Sequence, residues 1–174
     1  MDKIFTKHNI LFGFLLVAFI IVFEVILARL SLPAWPAFMV MIFFFVAHED
    51  AKLAPNILIG GLAGIVCVVL LKEFHALIDP SIGSEAAKLT FVGLFVYAIV
   101  MLQNAVPYVF NSYAFMFFLV AALAEKASNP NPNPYIWMGV EFVVGGIFIA
   151  GVIGISRITD ALLRGGEATP VQDQ

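Results

Sequence analysis

The sequence predicts an all-α integral membrane protein with six transmembrane helices, arranged as two inverted three-helix repeats. Of the 174 residues, 62% are hydrophobic and only 12% are charged, and the mean hydropathy is +1.02. A soluble domain is about half apolar and about a quarter charged, so much of the surface of this chain must face lipid. Long runs without Asp, Glu, Lys or Arg are typical of transmembrane helices, and three occur here: Asn9–Phe23, Leu53–Leu71 and Leu89–Ala124.

Two basic residues and a long apolar stretch begin the chain. Lys3 and Lys7 would suit the basic start of a signal peptide, but Ile10–Ala28 is about twice the length of that signal's apolar region, and no small-x-small cleavage site follows. We therefore interpret this stretch as the first transmembrane span. Basic residues flanking the spans favour the side of the two termini by five to four, which predicts cytoplasmic termini.

Proline and charged residues mark the remaining breaks. Pro33 and Pro36 suit the start of a second helix, because the missing N–H of proline costs nothing in a first turn. The charged segment "HEDAKLAP" separates that helix from the third span, and "SNPNPNP" cannot continue a helix because proline recurs at every second position. The predicted spans are residues 10–29, 35–48, 55–72, 87–104, 107–124 and 135–158.

These spans divide the chain into five parts. Residues 1–9 form a cytoplasmic N-terminus, and residues 10–75 form the first three-helix repeat. Residues 76–86, with "IDPSIGS" at their centre, form a connecting loop, residues 87–158 form the second repeat, and residues 159–174 form a flexible polar tail.

Two short segments, related by a shift of 74 residues, indicate the internal repeat. The shift places Pro33 on Pro107, and five of the fifteen positions 33–47 are then identical. The third span of each half also carries a glycine pair, at positions 60–61 and 145–146. An odd number of spans in each half gives the halves opposite orientations, as in many transporters.

Neutral polar side chains surround Pro107 in the middle of the charge-free run Leu89–Ala124. They predict a turn buried within the protein, since irregular backbone at membrane depth must pack in protein or line a wet cavity. Short proline-started helices, here the second and fifth, indicate the solute path when they occupy matching positions. Alternatively, both prolines begin ordinary spans at the lipid interface, with Trp35 and Tyr108 as interfacial aromatics. The candidate path comprises Pro33, Trp35, Phe38, Gln103, Asn104, Pro107, Phe110, Asn111 and Ser112.

Two carboxyl groups fall inside predicted spans. Glu24 lies near the end of span one and Glu141 lies within span six, both toward the side opposite the termini. A carboxylate in hydrocarbon costs about 2.5–3.5 kcal/mol, so both are expected to face protein or water. They are candidates for carrying a proton or for binding an amide or ammonium group. Alternatively, each forms a structural pair with a basic neighbour such as Arg29, Lys72 or Lys126.

The sequence gives no sign of catalytic, metal or nucleic-acid chemistry. It contains no phosphate-binding loop, Gly-x-Ser-x-Gly, paired-histidine or Cys-x-x-Cys motif, so neither an enzyme nor a cofactor is predicted. Cys67 is the only cysteine, and His48, Glu49 and Asp50 are consecutive, so that a helix would point them in different directions; no metal site is predicted. A net charge of −3 offers no basic surface for nucleic acid.

Two short motifs are similar to those of a known family. Trp-x-x-Phe at 35–38 and Val-Pro-x-x-Phe at 106–110 resemble motifs of the YcdZ-like family of small bacterial inner-membrane proteins, a domain of unknown function. The resemblance covers spans two to six and implies a bacterial inner membrane, with no established activity. Tyr108 stands where that family usually has glycine. The segment "LPAWPAF" is also similar in layout, more faintly, to the pore helices of urea transporters, which implies a small neutral solute.

Together these features predict a channel or facilitator in the lipid bilayer for a small polar solute such as urea, an amide or ammonium. Two alternatives remain open: a proton-coupled transporter that uses Glu24 or Glu141, and a non-transporting subunit whose polar groups bind a partner. The small-x-x-x-small patterns at Gly60–Gly64 and Gly146–Ala150 favour close helix packing, within the chain or in a homo-oligomer.

Overall fold

The computed structural model of the chain describes residues 6–127 and 133–166, and within these ranges all the regular structure is helical. A 3₁₀ turn at Ala51–Leu53 leads into the third helix, and a π-helical segment at Val140–Val144 joins the last two. The all-α class predicted from the sequence is confirmed. The α-helices are α1 (Lys7–Arg29), α2 (Trp35–Val46), α3 (Ala54–Ile82), α4 (Ser84–Leu102), α5 (Ser112–Ala127), α6 (Pro134–Gly139) and α7 (Gly145–Gly166).

Four helical stretches of the described chain are long and apolar enough to cross a membrane. They are Lys7–Arg29, Ala51–Ser81, Ser84–Leu102 and Pro134–Leu163. Helix α2 has 12 residues and α5 has 16, fewer than the roughly 20 that a straight crossing of the hydrocarbon layer needs. The fold therefore combines four long apolar helices with two short ones, and the short helices occupy the second and fifth places in chain order.

Pairs of contacts along each helix fix the relative directions of the central helices. Asn111 at the start of α5 contacts the start of α3, and near the other ends Lys72 Nζ lies 2.6 Å from Glu125 Oε1, so α3 and α5 run parallel. The rings of Trp35 and Trp137 lie 5.3 Å apart, and further along both helices Val40 contacts Gly145. Helix α2 is thus parallel to the α6–α7 stretch.

The two outer helices run antiparallel to their neighbours. His8 Nε2 lies 3.1 Å from Asp160 Oδ1, and the ring of Phe23 lies 5.2 Å from that of Phe148, so α1 is antiparallel to α7. Phe74 contacts Phe91 at 5.5 Å across the turn that joins α3 to α4. We call the end of the bundle that holds the start of α1 and the end of α7 the terminal end. The opposite end, which holds residues 30–34 and Gly83, is the distal end.

The core is aromatic and lies between α2, α3, α5 and α7. Helices α1 and α4 are peripheral: Leu27 is the one buried residue of α1, whose side chains are almost all apolar. The position of a helix that is apolar on every side is determined by its packing and its contact with lipid, because it has no polar face to turn toward water. The largest fully buried apolar side chains of the core are Phe44, Phe117, Phe118, Phe148, Leu27, Ile57 and Ile65.

Two predicted features differ from the structure, the start of the fifth helix and the loop at 76–86. The fifth helix begins at Ser112 rather than at Pro107, because residues 103–111 form successive turns and Asn111 caps the helix. Residues 76–86, predicted as a loop, are helical apart from Gly83, whose φ of +83° suits glycine and reverses the chain directly into α4. Pro80 is tolerated near the exposed end of α3, where only one backbone hydrogen bond is lost.

The predicted terminal segments overlap the described chain only in part. Helix α7 continues through the predicted tail as far as Gly166, and residues 167–174 lie outside the described residues. At the other end α1 begins at Lys7, capped by the Thr6 hydroxyl, which accepts from the N–H of Asn9, and residues 1–5 lie outside the described residues.

Candidate functional site

The carboxyl group of Glu141 is the most unusual feature of the core. Its side chain is 0% exposed, and among the residues that the structure describes neither carboxyl oxygen has a hydrogen-bond partner. Leaving a buried polar group unpaired costs about 1–3 kcal/mol, and more when the group is charged. Glu141 also lies in the π-helical segment Val140–Val144, and π-helical turns within α-helices are frequent at functional sites.

Two other helices meet the carboxyl group. A side chain at Gly61 of α3 would overlap Glu141 Oε1, and its Cβ would lie 2.9 Å from Cε2 of Phe117 on α5. Only glycine at this position lets the carboxyl group approach the backbone of α3. Glu141 therefore lies where α3, α5 and the π-helical segment meet, and the ring of Phe117 lies beside the same glycine.

Asn111 contacts the neighbouring glycine of α3. A Cβ at Gly60 would lie 2.5 Å from Asn111 Oδ1. The Asn111 amide Nδ2 donates to the carbonyls of Asn56, Pro107 and Tyr108 at 2.9–3.2 Å, and its Oδ1 accepts from the N–H of Ala114 at 2.9 Å. These bonds occupy both the amide donors and the carbonyl oxygen. Asn111 acts here as the cap of α5 and as a tie to α3, rather than as an open solute contact.

The candidate path residues form two groups at opposite ends of the bundle. At the distal end, Pro33, Trp35 and Phe38 surround the start of α2; Trp35 packs on Trp137, and Phe38 lies 5.4 Å from Phe148. At the terminal end, the turn between α4 and α5 carries Gln103, Asn104, Pro107, Phe110, Asn111 and Ser112. The structure does not bring the two groups into contact, and Glu141 lies between them along the bundle.

The turn at 103–111 is not buried, contrary to expectation. Gln103, Asn104, Pro107 and Ser112 are exposed, whereas Phe110 and Asn111 are partly buried. The cause is the length of α4, which carries the chain as far as the terminal end, where the charged connection at 48–53 also lies. The polar side chains of this turn therefore lie beside the start of α3 at the terminal end.

Glu24 is exposed on the outer face of α1 and does not share the environment of Glu141. Its neighbours Ile21 and Val25 are 57% and 53% exposed, so the packed face of α1 is the one that carries Phe19 and Phe23. The structure does not bring the two candidate carboxyl groups together: Glu141 faces protein, whereas Glu24 is exposed. Within the described ranges, Glu141 is the one acidic residue that is buried.

The ionisable residues of the 48–50 segment form a turn. His48 and Glu49 adopt positive φ values of 54° and 59°, and Asp50 accepts from the N–H of Lys52 to cap the 3₁₀ turn. In the described ranges, no three His, Cys, Asp or Glu side chains come together in a way that could hold a metal ion.

Sequence reasoning missed three parts of the site. The glycine pair at 60–61 indicates only the internal repeat in the sequence, and nothing in the sequence marks Phe117 or Asn56 as part of a site. The signal for Gly61 was its place in a glycine pair on a span that faces a buried acid. The π-helical segment has no comparable signal, because one extra residue in a turn does not disturb an otherwise apolar pattern.

Comparisons with known proteins leave the site to be judged on its own chemistry. No protein-family model, no curated protein and no solved structure matches the chain.

Proposed function

We propose that the protein is a membrane facilitator for a small polar solute that bears N–H groups, and that the carboxyl group of Glu141 binds this solute. The observation that carries the proposal is the full burial of a carboxyl group without a hydrogen-bond partner among the described residues. A buried ionisable residue inside an apolar span is costly and marks solute or ion paths. Its oxygens are acceptors, so they suit ammonium, an amine, an amide or a urea-like molecule.

The packing of the helices supports six crossings in two inverted halves, 10–75 and 87–158. In this arrangement α1 corresponds to α4, α2 to α5, and α3 to the α6–α7 stretch. Exchanging the two halves therefore places the antiparallel pair α1–α7 on the antiparallel pair α4–α3. The same exchange maps the parallel pair of α2 with α6–α7 onto the parallel pair of α5 with α3. Such symmetry is expected of inverted-repeat transporters.

The buried faces of the two short helices support the same repeat. The shift of 74 residues pairs Val40 with Ala114, and four of the seven buried residues between positions 36 and 47 pair with a buried residue of α5. A glycine of the partner helix contacts each member of the first pair: Gly145 contacts Val40, and Gly64 contacts Ala114. By these contacts Gly64 corresponds to Gly145. The sequence pairs positions 60–61 with 145–146, so the two correspondences differ by about one turn of α3. The remaining pairs are Phe43 with Phe117, Phe44 with Phe118, and Ala47 with Ala121.

Full burial of Glu141 favours a carrier that opens alternately to the two sides over a permanently open channel. The short helices begin at opposite ends of the bundle, α2 beside Trp137 and α5 beside Asn56. Rocking of one half against the other would expose the carboxyl group first to one end and then to the other. Solute would enter past the start of one short helix and leave past the start of the other.

A proton-coupled transporter is the second candidate, and the same carboxyl group favours it. A carboxyl group that binds a proton presents one fewer acceptor to a cation, so proton and solute would compete for Glu141. Glu24 takes no part in this version, because it is exposed on α1.

Uptake into liposomes tests the proposal. The purified protein would be assayed by light scattering and labelled uptake with urea, small amides, ammonium and methylammonium. We expect one of these solutes to enter through the wild type and Glu141→Gln to lower its rate by about tenfold or more, because hydrogen bonds to charged groups contribute about 1.5–3 kcal/mol. Glu24→Gln is the matched control and should leave the rate unchanged.

The remaining outcomes decide between the alternatives. Accumulation that requires a pH gradient would identify the proton-coupled version. Equal rates for the wild type and Glu141→Gln would contradict the role of the carboxyl group. No uptake of any solute by folded protein, together with a stoichiometric partner on purification, would favour a non-transporting subunit. The bacterial inner membrane, cytoplasmic termini and a homo-oligomer remain part of the proposal.

A further inference from the structure

A cavity of about 740 Å³ opens between α3, α4 and α5. Its volume lies in the range of about 300–1,000 Å³ that is typical of small-molecule sites. The rings of Phe95 and Phe118, 4.8 Å apart, bridge α4 and α5 at the inner end of the cavity. Glu141 is not among the residues that line the cavity, so the cavity is separate from the candidate site. Its apolar walls include Leu71, Val92, Phe118, Leu119, Ala122 and Leu123.

The rim of the cavity is positively charged. Lys72, Lys88 and Lys126 all line it, against a single carboxylate, that of Glu125. Glu125 is already paired with Lys72 at 2.6 Å, and among the described residues neither Lys88 nor Lys126 has an ion-pair partner. Both of these lysines are exposed. The cavity is therefore apolar inside and carries an excess of positive charge at its mouth.

The lysines lie where the apolar parts of the three helices end. Lys72 directly follows the charge-free run Leu53–Leu71, and Lys88 and Lys126 bracket the run Leu89–Ala124. In a membrane, side chains at such positions lie at the level of the lipid head groups, while the helices beyond them lie in hydrocarbon. The mouth of the cavity thus meets the head groups of the distal leaflet, and its interior meets the acyl chains.

We propose that this cavity binds an anionic phospholipid of the distal leaflet, with an acyl chain between α4 and α5 and the phosphate group beside Lys88 and Lys126. The apolar walls select an acyl chain over a soluble anion, and the charge of the rim selects an anionic head group over a zwitterionic one. Basic pockets between transmembrane helices bind acidic lipid head groups at the cytoplasmic side of membranes, and the same attraction acts on an anionic head group in either leaflet. The site is independent of the solute path at Glu141.

Binding of defined lipids to the purified protein tests this site. Native mass spectrometry in detergent would compare phosphatidylglycerol with phosphatidylcholine of the same acyl chains. We expect phosphatidylglycerol to bind on the order of tenfold more tightly, because each lysine near an anionic head group adds to its affinity. Replacing both rim lysines, Lys88→Gln with Lys126→Gln, should remove this preference. Lys52→Gln, which removes one lysine charge at the terminal end, is the control, and it is compared with each of the single variants Lys88→Gln and Lys126→Gln as well as with the pair.

Filling the cavity tests the position of the acyl chain. Ala122→Phe should weaken binding of both lipids, and Leu123→Trp places a similar obstruction at an exposed position if the first variant folds poorly. Equal binding of the two lipids by the wild type would overturn the proposal. So would an equal loss in Lys52→Gln, or undiminished binding in the filled variants. Competition by inorganic phosphate alone, at the same concentration as the lipid, would instead indicate a simple anion site.

Discussion

The proposed site depends on Glu141 and Gly61, and burying the carboxyl group of Glu141 there costs folding free energy. An acid held in an apolar core without hydrogen bonds lowers the stability of the fold, and an isosteric apolar side chain removes that cost. Gly61 contributes by having no side chain, so that the carboxyl group rests against the α3 backbone. A residue kept at a cost to stability is expected where function requires it.

Replacing the acid by leucine should stabilise the protein while abolishing transport. We expect Glu141→Leu to raise the free energy of unfolding by about 1–3 kcal/mol, because the unpaired buried polar atoms disappear. Thermal unfolding in detergent, beside the uptake assay, measures both effects. Glu73→Leu, at an exposed position on α3, is the control and should change stability little. A less stable Glu141→Leu would mean that the carboxyl group has a stabilising partner.

Gly64 packs more tightly than any other glycine of α3. A Cβ there would overlap the carbonyl oxygen of Ala114 and lie 2.8 Å from the backbone nitrogen of Phe118, and backbone atoms of a packed helix cannot move aside. We expect Gly64→Ala to destabilise the protein by about 1–3 kcal/mol, the usual cost of overpacking. Gly93→Ala on α4 is the control, since nothing lies within 4 Å of its Cβ position. That variant should be neutral or more stable, as alanine is favoured in helices. Equal stability of the two variants would contradict close contact of α3 with α5.

Among the elements, the turn between α4 and α5 depends on one side chain. Asn111 caps α5 through Ala114 and joins the turn to α3 through Asn56. We expect Asn111→Ala to lower stability by about 1–2 kcal/mol, the cost of a lost helix cap, and to speed hydrogen exchange in residues 103–115. The exposed Ser112→Ala is the control. Slower uptake by Asn111→Ala with unchanged stability and exchange would instead make Asn111 a solute contact.

The sequence is informative about elements where polarity varies along a helix. The positions of the short helices are visible in the sequence, and four of the position pairs that a shift of 74 residues makes between the α2 and α5 segments are buried on both sides. The depth of the turn at 103–111 was not predictable, because charge-free residues do not show where α4 ends. The extension of α3 past Pro80 was hidden for a similar reason: a proline in the last turns removes a single hydrogen bond, which does not end a helix.

The candidate site was partly predictable. The sequence identifies Glu141 as an acid within a span, and the cost of placing an acid there makes it informative on its own. The direction of Glu24 was not predictable, because α1 is apolar on every side and therefore has no periodicity that identifies its packed face. Asn111 was found, but its hydrogen bonds depend on the position of α3, which the sequence does not specify.

At the scale of the whole molecule, the proposal requires two halves of opposite orientation around Glu141. The side-chain contacts between the helices give each helix a direction, and these directions alternate along the chain from α1 to the α6–α7 stretch. Leu30 and Asn104 are equivalent positions under the shift of 74 residues, and both are exposed. In an inverted repeat they must lie on opposite sides of the membrane.

Sided labelling of these two positions tests the central claim most directly. Single cysteines at Leu30 and Asn104 would be placed in a Cys67→Ser background and treated in oriented vesicles with a thiol reagent that does not cross membranes. We expect Asn104→Cys to react from the same side as Lys52→Cys, and Leu30→Cys to react only from the opposite side. Reaction of Leu30→Cys and Asn104→Cys from the same side would contradict the inverted repeat, and with it the alternating exposure of Glu141.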